Sequence, residues 1–214
     1  MNVLCVVAHP DDEVLMCGGT IAKHVAAGDK VFVLAMADGV SSREGWDRQD
    51  RLDRVAAADA ASRVLGHNGD IVGWADQRLD TVDHLMMNQR IEAEIRKQKP
   101  EVVYTHWHGD LNLDHALVSR SVKVACRPGS GVREVYLGEV PSSTEYAGGF
   151  NPNTFVDIGD QMDLKLEALR CYDGELRDGN HPRSLFAIGA LAQLRGACVG
   201  VAAAEAFETH RVLR

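Results

Sequence analysis

Residues 2–8 form an unbroken apolar run rich in valine. A strand with one wet face alternates apolar and polar residues. A run without alternation needs cover on both faces, as in a parallel sheet sandwiched by helices. The rest of the chain has the segments to build such a sheet. Residues 19–27 read as a helix stopped by Gly28, and residues 30–37 as a second apolar strand. Residues 47–65 have helical spacing and an Ala/Arg/Asp-rich composition, with Gly66 as a C-terminal stop. Residues 70–72 suggest a short strand, and residues 82–99 a helix closed by Pro100. A β-rich run at 101–105 precedes a helix at 114–126, and short strands follow near 134–137 and 155–158. Residues 161–172 and 184–194 read as helices, whereas 141–152, rich in Ser, Gly and Pro, reads as a long surface loop. Alternating strands and helices predict an α/β fold: a Rossmann-like three-layer sandwich with a mostly parallel sheet.

The length of 214 residues suits a single domain, expected over residues 1–214, with a sizeable core. The net charge of −8 and the lack of a basic cluster speak against nucleic acid or an anionic membrane surface as a partner. No apolar run approaches the roughly 20 residues of a membrane helix, so membrane insertion is not expected. The N-terminus has no basic stretch leading into an apolar segment and cleavage site. Five scattered cysteines (Cys5, Cys17, Cys126, Cys171 and Cys198), with no CxxC pair, read as reduced thiols of a cytoplasmic protein.

In open α/β sheets, ligands bind beyond the carboxyl ends of the strands. Two such places are crowded with chemistry. The turn after the first strand, His9-Pro10-Asp11-Asp12-Glu13, packs one imidazole and three carboxylates into five residues. The segment Thr105-His106-Trp107-His108-Gly109-Asp110-Leu111-Asn112-Leu113-Asp114-His115 carries three histidines and two aspartates. A bound cation relieves the cost of gathering such groups. A catalytic zinc site takes three protein ligands and keeps one position open. His9, Asp12 and one histidine of the second segment would meet that need. Asp11 is then left beside the metal as a general base toward water. Each cluster alone also has a plain structural reading, as a turn or a helix start whose aspartate caps. Their joint position at strand ends favours the metal.

The phrase Val7-Ala8-His9-Pro10-Asp11-Asp12-Glu13, followed by Gly18-Gly19-Thr20, resembles the signature of the PIG-L / LmbE-like zinc-dependent de-N-acetylases, the N-acetylglucosaminyl deacetylase-like enzymes. Asp76-Gln77-Arg78-Leu79-Asp80, His108-Gly109-Asp110-Leu111-Asn112-Leu113-Asp114-His115, Pro141-Ser142-Ser143-Thr144-Glu145 and His181-Pro182-Arg183-Ser184 resemble motifs of one bacterial branch. The resemblance implies His9, Asp12 and His115 as ligands of Zn2+, with Fe2+ or Co2+ as other divalent candidates. It implies Asp11 as the base and later the acid, and Asp114 as a group supporting a ligand. It also implies a homo-oligomer acting on an N-acetylated amino sugar or glycoconjugate. Choosing His115 over His106 or His108 rests on this resemblance.

One position departs from the pattern. Many members carry a histidine three positions before the second ligand histidine, where this chain has Asn112. An amide donates a hydrogen bond but carries no charge. His181 is therefore the candidate to help hold the oxyanion, against a reading as a plain loop residue. Arg43, Arg78 and Arg183 lie in polar loop-like segments and are candidates for a substrate carboxylate or phosphate. Arg43 and Arg78 are the substrate-binding expectations, with Asn112 and with Trp107 as a platform for a sugar ring. The rival functions are a deformylase or other amidase on the same site, an inactive glycan binder, and a nucleotide-binding module. The last is disfavoured because the glycines do not form GxGxxG and an acidic turn repels phosphate.

Overall fold

A computed structural model describes Met1–Arg214. Its strands are β1 (Asn2–Val7), β2 (Lys30–Ala37), β3 (Asn68–Trp74), β4 (Val102–His106), β5 (Glu134–Gly138), β6 (Thr154–Asp157) and β7 (Ala204–Val212). They form one seven-stranded sheet in the order β3-β2-β1-β4-β5-β7-β6. Strands β1 to β5 run parallel, and β7 is antiparallel to both β5 and β6. The helices are α1 (Asp12–Ala26), α2 (Arg48–Leu65), α3 (His84–Gln98), α4 (Leu113–Ala125), the short α5 (Thr144–Ala147), α6 (Met162–Arg170) and α7 (Leu185–Ala197). None is long and apolar enough to cross a membrane.

The missing alternation in β1 has its explanation in the two cores. Val3, Cys5 and Val7 point to one face and pack with Ile21 of α1, Leu65 of α2 and Leu169 of α6. Leu4 and Val6, with Ala8 just beyond the strand, point to the other face and pack with Met87 and Ile91 of α3 and Val118 of α4. Period-two side chains with helices on both sides leave no place for a polar residue. The result is the expected α/β sandwich with a mostly parallel sheet.

Local signals place most helix ends. Asp47 caps α2 by accepting from Gln49 N at 2.6 Å and Asp50 N at 3.1 Å, and Gly66 closes the helix in the left-handed region at φ 79°. The start of α1 differs from expectation. It begins at Asp12, seven residues before the expected 19, and breaks at Cys17, whose φ of −144° and ψ of 27° are non-helical. Residues far away in sequence stabilise both sides of the break. Lys165 Nζ donates to Leu15 O at 2.9 Å, at the end of the first half-helix. Glu205 Oε1 accepts from Gly19 N at 2.9 Å and Oε2 from Thr20 N at 2.7 Å, at the start of the second. A cation at a helix end and an anion at a helix start suit the orphan groups and the dipole. Lys165 and Glu205 also pair with each other at 2.5 Å, and both are buried. A side chain at Gly19 would lie 2.8 Å from carbons of Ile158, so only glycine allows this approach.

Strand β7 is a second addition to the expected layout. Its segment mixes Glu205, Glu208 and Arg211 with apolar residues, a pattern weak as a sheet signal. Within residues 141–152, expected as a loop, only the four-residue α5 is helical.

Candidate metal centre

The carboxyl ends of β1 and β4 meet at the centre of the sheet, and the two clusters meet with them. The turn after β1 is strained: Asp11 has φ 125°, outside the range L-residues favour. Buried groups hold it there. Asp11 N donates to Glu13 Oε2 at 3.0 Å, and Tyr172 of the chain beyond α6 donates to Glu13 Oε1 at 2.7 Å. Burial raises the Glu13 pKa to about 7 against these hydrogen bonds. Arg54 of α2 donates to Pro10 O at 2.6 Å and approaches Asp11 Oδ2 at 3.5 Å.

His9 Nδ1 lies 3.1 Å from Asp12 Oδ2. His115 Nε2, from the first turn of α4, lies 3.3 Å from both His9 Nδ1 and Asp12 Oδ2. All three residues are buried, and one ligand atom from each falls within 4.8 Å of the others. The donor set fits a divalent cation of the zinc type: two imidazole nitrogens and one carboxylate oxygen, with Asp12 Oδ1 buried and without a hydrogen-bond partner. The cluster also attracts positive charge. Burial opposes a charge on His9, yet hydrogen bonds with Asp114, Asp12 and Asp76 hold its pKa well above the ordinary value. A proton or a metal ion answers the same demand.

Carboxylates orient each imidazole from behind. His9 Nε2 faces Asp76 Oδ1 at 3.0 Å and Asp114 Oδ2 at 3.3 Å, on the ring edge opposite Asp12. His115 Nδ1 faces Asp110 Oδ1 at 3.3 Å. These carboxylates are anchored in turn. Asp114 accepts from Leu79 N at 3.1 Å, Asp76 from Ser42 Oγ at 2.5 Å, and Asp110 from Asn112 N at 2.9 Å, Ser143 Oγ at 3.1 Å and Thr144 Oγ1. Such partners fix the tautomer and raise ligand basicity. Asp76 and Asp110 stand inside sequence motifs that by themselves assign them no role. Asp110→Asn should weaken divalent-metal affinity about 10–100-fold, measured by chelator competition. Unchanged affinity would remove Asp110 from the support of His115.

His106 is fully buried and stacks on His115 at 4.0 Å between ring centroids. Its Nε2 accepts from Ala8 N at 2.8 Å, which occupies that lone pair. Burial takes its pKa down to about 3, so the ring is neutral. It props His115 and ties β4 to the end of β1. His108 is exposed.

Asp11 Oδ2 lies 3.3 Å from Arg183 Nη1. Burial raises the Asp11 pKa to about 6, with Arg183 and Arg54 pulling the other way. The other residues singled out from sequence are spread more widely. Asn112 caps α4 by accepting from Asp114 N at 3.0 Å, so its oxygen is engaged. Arg43 donates to Gly39 O at 3.4 Å and pairs with Glu175, and Arg78 is exposed. Two expectations need correction on geometry. Trp107 is not an open sugar platform: it is 6% exposed, donates from Nε1 to Glu208 Oε2 at 3.0 Å and packs against Phe150. His181 is an exposed turn residue whose Nδ1 accepts from Arg183 N at 3.0 Å, and Arg183 is the member of that motif that reaches Asp11.

Residues 4–126 match the family model for GlcNAc-PI de-N-acetylase, PIG-L. The diacetylchitobiose deacetylase of Thermococcus kodakarensis is 28% identical over 188 residues, covering 81% of this chain and 70% of that enzyme. An uncharacterised deacetylase of Escherichia coli, YaiS, is 30% identical over 179 residues, covering 79% of this chain and 89% of that one. Among solved structures, GalB, the 4-carboxy-2-hydroxymuconate hydratase of Pseudomonas putida KT2440, superposes with a TM-score of 0.81 at 25% identity, covering 100% of this chain and 98% of that one. The chain belongs to the PIG-L, GlcNAc-PI de-N-acetylase, family.

Proposed function

We propose that this protein is a metal-dependent hydrolase that removes the N-acetyl group from an amino sugar or glycoconjugate, with zinc as the working metal. One observation carries the reading: three convergent ligand groups, His9, Asp12 and His115, have a separate buried carboxylate, Asp11, beside them. The deacetylase names of the Thermococcus and Escherichia relatives support the acetyl group, and the former supports the amino sugar.

A divalent cation at these ligands supplies a Lewis acid that polarises the acyl carbonyl and acidifies water. The chain's own residues do the rest. Asp11 accepts a proton as the water oxygen bonds to the carbonyl carbon. It then passes that proton to the nitrogen as the C–N bond breaks, leaving acetate and a free amine. The strained turn, with Glu13 and Arg54 bracing it, leaves the Asp11 carboxylate beside Arg183 and Arg54 and not capping α1, free for the role of base.

The test is an acyl screen. N-acetyl, N-formyl and longer N-acyl amino sugars are incubated with metal-loaded protein, and acid and amine are measured together. Equal release of acetate and amine is expected. Release of formate without acetate would make the protein a deformylase. The likeness to GalB supports a second reading, addition of water to a carbon–carbon double bond. Hydration of an unsaturated acid with no amine released from any amide would favour it.

A further inference from the structure

We propose that Arg183 is a catalytic residue, whose guanidinium donates hydrogen bonds to the acyl oxygen and holds the negative charge that develops there. The inference rests on the amide-hydrolysis reading above and fills the place that Asn112 leaves open. An oxyanion is best stabilised by a fixed donor beside the point where charge builds, in a site closed to bulk water. Asn112 Oδ1 is engaged at the start of α4, and His181 is exposed and braces its own turn.

Arg183 lies beside the proposed base with donors to spare. Its Nη1 lies 3.3 Å from Asp11 Oδ2 and 3.5 Å from Glu175 Oε2. Its Nε donates to Ser142 Oγ at 2.8 Å, and Nη2 makes no hydrogen bond within the protein. Two N–H donors of a positioned fork are thus free. The side chain is 23% exposed, so a substrate can reach it while it touches the buried base. Arg54, the other cation near Asp11, is 5% exposed, and its nitrogens are engaged by Pro10 O and Glu175. The two arginines therefore divide the work, with Arg54 bracing the turn and Arg183 facing the substrate.

Further features are consistent with this placement. Burial opposes the charge on Arg183, and Asp11, Asp12, Glu175 and Asp76 together hold it on. The direct contacts among these are to Asp11 and Glu175, so the guanidinium sits beside the residue next to the ligand Asp12. Ser142, which anchors Nε, has φ 78°, a strained backbone for a non-glycine residue. The turn carrying Arg183 is braced too, by Ser184 N donating to His181 O at 2.9 Å and by Ser184 Oγ capping α7 at Ala187 N, 3.0 Å. No proton leaves Arg183 in the reaction. As water attacks, the carbonyl π electrons move to oxygen and Arg183 hydrogen-bonds that oxygen. When they return, the C–N bond breaks and Asp11 protonates the amine.

The experiment compares wild type, Arg183→Met and Arg183→Lys, all metal-loaded, on an N-acetyl amino sugar. It adds the binding of a phosphonamidate analogue, tetrahedral where the substrate is planar. Arg183→Met should lower kcat by about 10²–10³-fold with KM changed little. Its affinity for the analogue should fall in proportion to kcat/KM, while metal content stays at the wild-type level. Arg183→Lys, which keeps the charge and loses the fork, should fall between. Turnover of Arg183→Met within about threefold of wild type would overturn the assignment. So would a lost metal ion, or analogue affinity unchanged while kcat falls, because these mark a structural role. If Arg183→Met does not fold, wild-type turnover and analogue affinity in Arg183→Lys would overturn it. Wild-type protein that releases no acetate would instead overturn the hydrolysis reading itself.

Discussion

Asp11→Asn protein is expected to keep its metal ion and lose about 10²–10⁴-fold in turnover. The exchange is isosteric and leaves the turn's supports in place, since Glu13 binds the Asp11 backbone N–H and Arg54 binds Pro10 O. The three ligand side chains are untouched, so metal stoichiometry should match wild type. What disappears is the proposed proton acceptor. Burial brings the Asp11 pKa to about 6 against the pull of Arg183 and Arg54, near where a group can both take and return a proton at neutral pH. Asparagine can do neither. The check is kcat and metal content on the same preparation. Full metal with turnover within about threefold of wild type would assign the base to another group.

The second large effect lies away from the chemistry. Lys165→Met should destabilise the fold by about 3–5 kcal/mol. Methionine fills a similar volume, but Glu205 remains buried with its charge and loses the cation 2.5 Å away. Leu15 O loses its donor at the break in α1 as well. Adding Glu205→Gln should return part of the loss, because a neutral amide still accepts from one of the Gly19 and Thr20 amides. Denaturant unfolding of both single variants and the double measures the coupling. A cost below about 1 kcal/mol, the size expected of an exposed pair, would contradict the role given to Lys165.

These two residues also show where the sequence stops being legible. The nature of β1 and its neighbours was readable because unbroken apolar runs demand cover on both faces. The ends of α2 were readable because Asp47 and Gly66 act within one turn of themselves. The true start of α1 was not. Its first half-helix ends on a lysine 150 positions away and its second begins on a glutamate 186 positions from Gly19. Without those partners, Pro10 and the Gly18-Gly19 pair look like reasons to delay the helix. Strand β7 was missed for a related reason: Glu205 is buried in it, inverting the usual meaning of a charged residue.

The candidate site divides along the same line. His9 and Asp12 lie within one turn, and their joint orientation follows from three residues of spacing. His115 and His106 cannot be told apart by spacing. They separate only when Ala8 N, the amide just past the end of the neighbouring strand, is seen to occupy His106 Nε2. Asp76 and Asp110 were inside visible motifs, but which imidazole each one faces depends on how three loops meet. Trp107 looked available because it adjoins the cluster, yet the alternation along the backbone sends its ring into the core.

The central claim is that cation binding at His9, Asp12 and His115 makes this chain an amidase. Its most direct test follows acetate release from an N-acetyl amino sugar by one preparation as purified, after chelation, and after zinc is restored. About one ion per chain is expected, as a three-ligand open site predicts, with acetate release lost on chelation and recovered on return of zinc. Undiminished acetate release from protein shown to be metal-free would contradict the account.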